Sequence, residues 1–277
     1  MLEDRINQGE LFHMTSDNAY FDTESSRAIY RMAPHNIPKK SITNFCIVLD
    51  IDSTLVNTFE YSDVPTIKSL GILENPKLMA LRSRIYRMGL EDVLEKKGKG
   101  TFLELWGIMR PHLKEFLIFC LSYFKIVVIW SAGRPQYVKD VSEIMFRDVG
   151  DPNVVYTSDE CVEHVEYIGD EKIVTMRKPL SKLYNDPKLK GMLKPENTFI
   201  IDDRIYSFAE DPENGILIPP YNPDVTVESM LTDDQALLQL MFWFSKPEVK
   251  NSDDVRKLSK REIFLTSLRD YGFSLKM

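Results

Sequence analysis

The chain carries few of the features that mark a specialised environment. Only three cysteines occur among 277 residues, Cys46, Cys120 and Cys161. The number is odd and no CxxC spacing appears, which excludes a secreted disulfide scaffold and predicts a reducing compartment. The histidines, His13, His35, His112 and His164, show no metal-ligand spacing. Positive charge is in deficit: 35 basic residues against 42 acidic give a net charge of -7. No bulk cationic field exists to hold a polyphosphate backbone, so direct nucleic-acid binding is not expected. Internal repeats and low-complexity tracts are missing too. The remaining composition, 43% apolar and 28% charged, is that of a globular chain able to bury a sizeable core.

Long apolar runs are also scarce. Phe116 to Gly133, FLIFCLSYFKIVVIWSAG, is long enough to cross a bilayer but carries Lys125 at its middle, where a lysine costs about 2.5 to 3.5 kcal/mol. The period changes within the run. Leu113, Phe116, Leu117, Cys120, Leu121 and Phe124 recur at helical spacing, whereas IVVIW is a short β-branched run. Helix followed by buried strand is the reading, and no membrane association is expected. The amino-terminal MLEDRINQGE has acids and amides where an export signal carries basic and then apolar residues. Together these features predict an intracellular protein, nuclear or cytoplasmic.

Three short apolar runs are each stopped by polar residues: FCIVL (45–49), IVVIW (126–130) and TFII (198–201). Such runs predict strands buried on both faces. Val154 to Tyr156 and GILI (215–218) add two weaker strands, and VEYIGDEKIVTM reads as a hairpin around Gly169 and Asp170. Helices are expected between them. Pro111 suits the first turn of one and Pro135 opens another with Val138, Val141 and Met145 on one face. A further short helix is expected over Leu180 to Tyr184. Buried strands alternating with helices imply an α/β fold with a mainly parallel sheet flanked by helices.

The expected organisation has three parts. Residues 1–40 form a polar amino-terminal extension, 41–248 the globular domain, and 249–277 a carboxy-terminal helix. Within the domain, 57–109 is an insertion between the first two core strands, cap-like, with Leu78, Leu81, Ile85 and Met88 suggesting one helix. The sequence EKKGKG in the insertion lacks the GxxxxGK[ST] spacing of a phosphate loop and reads as a solvated turn. Two amphipathic helices are expected at the end, near 227–244 and 253–270, the second with Val255, Leu258, Leu265 and Leu268 as its stripe.

Ligands of a parallel sheet bind beyond the carboxyl ends of its strands. At those ends stand Asp50 and Asp52 after the first run, Ser131 after the second, and Asp202 and Asp203 after the third, with Lys178 between the last two runs. Four carboxylates on one edge repel one another unless a hard cation sits among them, and Mg²⁺ prefers such oxygen ligands. A lysine and a hydroxyl nearby complete a site for a tetrahedral dianion. Two aspartates separated by one residue can divide labour, one attacking and the other moving a proton. The chemistry implied is phosphoryl transfer. A cysteine-based phosphatase is excluded: its thiolate needs an arginine six positions on, where Asp52, Ile126 and Tyr167 stand instead.

The ordered set DIDSTLV, RPHLKEFL, VVIWSAGRPQYV, RKPLSKL and FIIDDR resembles the haloacid dehalogenase (HAD) superfamily, and within it the FCP/SCP-type, NLI-interacting-factor-like phosphatases that act on the carboxy-terminal domain of RNA polymerase II. The resemblance implies a Rossmann-like HAD core and a Mg²⁺-dependent phosphoserine/phosphothreonine phosphatase. It implies Asp50 as nucleophile and Asp52 as general acid and base. The Asp50 carboxylate, the Asp52 carbonyl and Asp203 would hold Mg²⁺, supported by Asp202. Ser131 and Lys178 would hold phosphate, Thr54 would shape the loop, and Tyr137 matches a tyrosine that lines a substrate-proline pocket in small members. A phosphoprotein, the polymerase tail, is the implied partner. Ser53, Ser131 and Pro179 stand where the family has Glu, Thr and Asp, and the first two spare the needed groups. A small phosphorylated metabolite or nucleotide is the alternative substrate, with 57–109 as its cap. A binding scaffold without activity is the other alternative, against which both Asp50 and Asp52 are retained.

Overall fold

The computed structural model describes residues 40–60, 68–72, 74–90, 103–189 and 191–265. The expected extension over 1–40, Lys40 apart, and the EKKGKG turn lie outside the described residues. At the centre is a five-stranded sheet made of β1 (Cys46–Leu49), β5 (Ile126–Trp130), β6 (Val154–Tyr156), β9 (Thr198–Asp202) and β10 (Gly215–Leu217). Its order is β10-β9-β1-β5-β6, and every neighbouring pair is parallel. The chain therefore runs the same way in all five, and the carboxyl ends of β1, β5 and β9 open on one edge.

Alternation along these strands divides the core into two layers. Ile47 and Leu49, Val127 and Ile129, and Phe199 and Ile201 face the larger cluster, which includes buried residues of the helices Leu113–Tyr123, Pro135–Phe146 and Ala236–Ser245. Cys46 and Val48, Val128 and Trp130, and Ile200 face the smaller one, with Leu180, Leu183, Leu189, Leu193 and Phe208. Both faces are covered, so the strands read as unbroken apolar runs, not as alternating ones. The FLIFCLSYFKIVVIW run is a helix and a strand as expected, and among the described residues no helix is long and apolar enough to cross a membrane. The cysteines are free, Cys46 and Cys120 buried and Cys161 half-buried.

The insertion is a second sheet. Strands β2 (Val56–Glu60), β3 (Ile85–Leu90) and β4 (Leu103–Met109) pair antiparallel in the order β2-β4-β3. The helix expected through Leu78, Leu81, Ile85 and Met88 is corrected here: a single helical turn, Met79–Arg82, precedes β3, which contains Ile85 and Met88. Strand β3 is buried at nearly every position, so its apolar residues show no period of two. The hairpin forms as expected from β7 (Val162–Ile168) and β8 (Glu171–Arg177), which among the described residues pair only with each other, and Gly169 takes a left-handed φ of 63° at its turn. Tyr167 and Ile168 are 70% and 66% exposed.

Three helix expectations change. Pro111 lies in a turn ahead of the helix, which starts at Leu113 after His112 takes a left-handed φ of 64°. The 227–244 helix is broken into Val227–Met230 and Ala236–Ser245. Asp234 sits in the gap, where its carboxylate accepts from Ala236 N and pairs with Arg110. Residues 253–265 form no continuous helix: Asp254 caps the single turn Val255–Lys257, and Lys260 Nζ donates to the carbonyls of Val255 and Leu258. Leu265 is 79% exposed, so the predicted stripe has no packed face there, and Leu268 lies outside the described residues.

Candidate active site

Strand β1 delivers Asp50 to the sheet edge, its amide donating to Ile201 O at 3.0 Å in β9. The next residues fold back at once. Leu55 and Val56 amides both donate to Ile51 O, at 2.8 and 3.1 Å, and Ser53 takes a φ of 58°. This tight loop brings Asp52 round beside Asp50. It is held from outside by Arg110, a buried guanidinium that donates to Thr54 O at 3.0 Å, to Pro219 O at 2.9 Å and to both oxygens of Asp234 at 2.8 Å. Tyr221 N adds a bond to Ser53 O at 2.7 Å. Thr54 is fully buried, and its hydroxyl finds no hydrogen-bond partner among the described residues.

Lys178 follows the last residue of β8. Its own amide is tied to Ser207 O at 2.6 Å, and its Nζ donates to Asp50 Oδ1 and, at 2.7 Å, to Asp202 Oδ2. All three groups are buried, Lys178 being 2% exposed. Asp202 closes β9, and its other oxygen accepts from Arg204 N at 2.9 Å. Asp203 is half-buried beside it, with Arg204 Nε at 3.8 Å. One oxygen each from Asp50, Asp202 and Asp203 lie within 4.8 Å of one another.

Asp52 turns away from this cluster. Its Oδ1 accepts the Tyr137 hydroxyl, and its Oδ2 lies 3.5 Å from Ser131 Oγ. Ser131, at the end of β5, also accepts Gly133 N at 3.0 Å. Tyr137 reaches the site from the first turn of the Pro135–Phe146 helix.

The site is short of positive charge. Burial pushes Asp50 up to about 7, Lys178 pulling against it and Asp202 adding to it. Burial likewise raises Asp52, with Tyr137 and Lys178 opposing, and raises Asp203, with Asp202 reinforcing. Burial alone would lower Lys178, but Asp50 and Asp202 together raise it above its ordinary value, so it stays a cation. Tyr137 is driven well above its ordinary value by burial, then by Tyr86 and Asp52, and stays protonated. Three hard oxygen donors around excess negative charge suit a divalent cation such as Mg²⁺.

The structure thus gathers Asp50, Lys178, Asp202 and Asp203 in one cluster and Asp52, Ser131 and Tyr137 in an adjoining one. Thr54 lies within the loop that joins them. Sequence reasoning missed Thr58 and Tyr86, which bond to Tyr137 directly and in turn, and it gave Arg110 no role. Arg110 stood in a quoted motif, and its place before a proline was the available signal. Gly107, inside the run LELWGIM, was the signal for Tyr86.

A parallel α/β sheet with a lysine and four carboxylates on its carboxyl edge is an arrangement suited to phosphoryl transfer. The sequence model of the NLI interacting factor-like phosphatase family matches residues 45–256, and the chain belongs to that family. It is 30% identical over 120 residues to the ubiquitin-like domain-containing CTD phosphatase of Arabidopsis thaliana, an alignment covering 41% of this chain and 33% of that protein. The matched region thus spans about a third of that curated relative's length. Among solved structures, a fission yeast RNA polymerase II CTD phosphatase Fcp1 variant bound to beryllium fluoride matches with a TM-score of 0.47 at 15% identity, over 80% of this chain and 53% of that one. A structure of Fcp1, described as an essential RNA polymerase II CTD phosphatase, matches with a TM-score of 0.46 at 14% identity, over 86% and 63%.

Proposed function

We propose that the protein is a Mg²⁺-dependent protein phosphoserine/phosphothreonine phosphatase that works through an aspartyl-phosphate on Asp50. The observation that carries this reading is the pairing of two aspartates with different surroundings: Asp50 in contact with buried Lys178, and Asp52 held apart on Tyr137. In this reading Asp50 attacks and Asp52 moves protons.

In the first step an oxygen of Asp50 bonds to phosphorus while the bond from phosphorus to the seryl oxygen breaks, and Asp52 gives its proton to that oxygen. In the second, water attacks phosphorus, passes a proton to Asp52 and releases the Asp50 carboxylate and phosphate. Lys178 and Ser131 hold the phosphoryl oxygens and Thr54 shapes the loop. Asp50, Asp203 and the Asp52 carbonyl, with Asp202 in support, would hold Mg²⁺, which when bound supplies positive charge against the repulsion between carboxylate and phosphate. The names of the relatives support the tail of RNA polymerase II as the phosphoprotein substrate, with work in the nucleus or cytoplasm. The test is hydrolysis of p-nitrophenyl phosphate and of polymerase-tail phosphopeptides with and without chelator. Chelation and Asp50→Asn should each abolish turnover, and full activity in either condition refutes the mechanism.

A further inference from the structure

The insertion sheet ends in a chain of hydroxyls that runs to Asp52. Tyr137 donates to Asp52 Oδ1. Having given its one proton there, the Tyr137 oxygen accepts from Thr58 Oγ1 at 2.7 Å. Thr58 has then used its proton, so its oxygen accepts from the Tyr86 hydroxyl at 2.6 Å. Each hydroxyl has a single proton, so the direction of the chain follows from its first bond. The three donors point one way, from the buried Tyr86 to the carboxylate.

The sequence is built to seat both tyrosines. Thr58 in β2 and Tyr86 in β3 both pair with Gly107 in the central strand β4. A Cβ at Gly107 would lie 2.4 Å from Cζ and from the hydroxyl oxygen of Tyr86, so only glycine lets that ring lie across the middle strand and reach Thr58. Glycine weakens a strand interior and marks close approach there. Likewise a Cβ at Gly133 would lie 2.8 Å from Cδ1 of Tyr137. The insertion thus joins the active site through two tyrosines, each lodged against a glycine.

We propose that the Tyr86–Thr58–Tyr137 chain is a positioning relay for the proton-transfer carboxylate: it occupies Oδ1 of Asp52 and leaves Oδ2, beside Ser131, as the oxygen that carries the proton. This rests on the reading of Asp52 as the general acid and base. The proton on Oδ2 passes to the leaving seryl oxygen as its bond to phosphorus breaks. Oδ2 recovers a proton from the attacking water. The relay hydroxyls keep their own protons throughout and act by fixing the carboxylate's rotation. Tyr137, Thr58 and Tyr86 are positioning residues, and the cap-like insertion is part of the proton-transfer apparatus.

A general acid matters most when the leaving group is a poor one. An alkoxide such as that of serine needs a proton to depart, whereas p-nitrophenolate leaves as a stabilised anion. The experiment compares kcat for a phosphoserine peptide with kcat for p-nitrophenyl phosphate in the full chain, for Tyr137→Phe, Thr58→Val, Thr58→Ser and Tyr86→Phe. Tyr137→Phe should lower the peptide rate about tenfold or more, the scale of a lost hydrogen bond to a charged group, and lower the aryl phosphate rate by less, since there Asp52 serves only the water step. Thr58→Val and Tyr86→Phe should shift the ratio in the same direction by less, and Thr58→Ser should restore it. Thermal melts accompany each variant. Should Tyr137→Phe fail to fold, Thr58→Val against Thr58→Ser decides. A wild-type enzyme that is active and Asp50-dependent, but whose ratio is unmoved by Tyr137→Phe or by the Thr58 pair, overturns the relay alone. A wild type inactive on both substrates, or an Asp50→Asn variant that still turns over, overturns the phosphatase reading and the relay with it.

Discussion

Replacing Lys178 with methionine keeps most of the length of the side chain and removes its charge. In the wild type the ammonium touches Asp50 and Asp202, whose side chains are 9% and 1% exposed. Removing one partner of a buried ion pair costs about 3 to 5 kcal/mol because the remaining charge is left uncompensated. For a domain of this size each kcal/mol is worth about 2 to 4 °C in Tm. A loss of roughly 6 to 20 °C is therefore expected near pH 8 in chelator. The loss should shrink in acid. Without the lysine that pulls against its burial, the raised folded-state value of Asp50 moves further above the unfolded carboxylate value of about 4, so its contribution is intact below that value and is lost as pH rises through the raised one. Melting curves at pH 5 and pH 8 read this directly. Added Mg²⁺ should recover part of the stability at pH 8 by restoring positive charge, yet none of the phosphatase turnover, since in the proposed mechanism the lysine also holds phosphate. A variant that melts with the wild type at pH 8 in chelator, or whose deficit does not change with pH, refutes the view of the site as a cluster short of cations.

Two further substitutions test the frame around the site. Arg110→Leu strips the donors from Thr54 O, Pro219 O and Asp234. Urea unfolding should show a loss of about 3 kcal/mol, in the upper range for hydrogen bonds to a charged group and discounted because Asp234 is partly exposed; an unchanged midpoint would show that the guanidinium does not hold the loop. Gly215→Ala puts a Cβ 2.2 Å from the ring of Phe208, which should cost about 1 to 3 kcal/mol as overpacking. Phe208→Leu in the same chain should return part of that loss, and strict additivity of the two changes would contradict the contact.

The core strands were legible because a strand buried on both faces must be apolar throughout, as FCIVL and IVVIW are. Their order was legible for the chemistry too: the polar residues that stop them lie where a parallel sheet gathers its loops, so Asp50, Asp52, Ser131 and Asp202 could be picked without coordinates. The structure within the insertion was not legible. Strand β3 is buried at nearly every position, and without alternation its residues Ile85 and Met88 fell on a helical spacing. Thr58 and Tyr86, which stand behind Tyr137, are brought together by cross-strand register through Gly107, and register is a long-range property that no local pattern displays. The carboxy-terminal stripe misled because side chains took up the backbone's hydrogen bonds: Asp254 and Lys260 bond to main-chain groups that a helix would have paired within itself.

The hairpin β7-β8 has its own consequence for motion. Two strands that pair only with each other are marginal by themselves, and this hairpin carries its apolar side chains largely in water. It is the part of the fold best suited to open while the rest stays closed. Lys178 sits at its very end, yet the lysine is fastened elsewhere, through its amide to Ser207 and through its Nζ to Asp50 and Asp202. Arg177 and Lys178 therefore mark a boundary between two rates of breathing. Amide hydrogen exchange should be fast along the ribbon and slow from Lys178 onward, so the ribbon can flex while the ammonium that bridges Asp50 and Asp202 stays still.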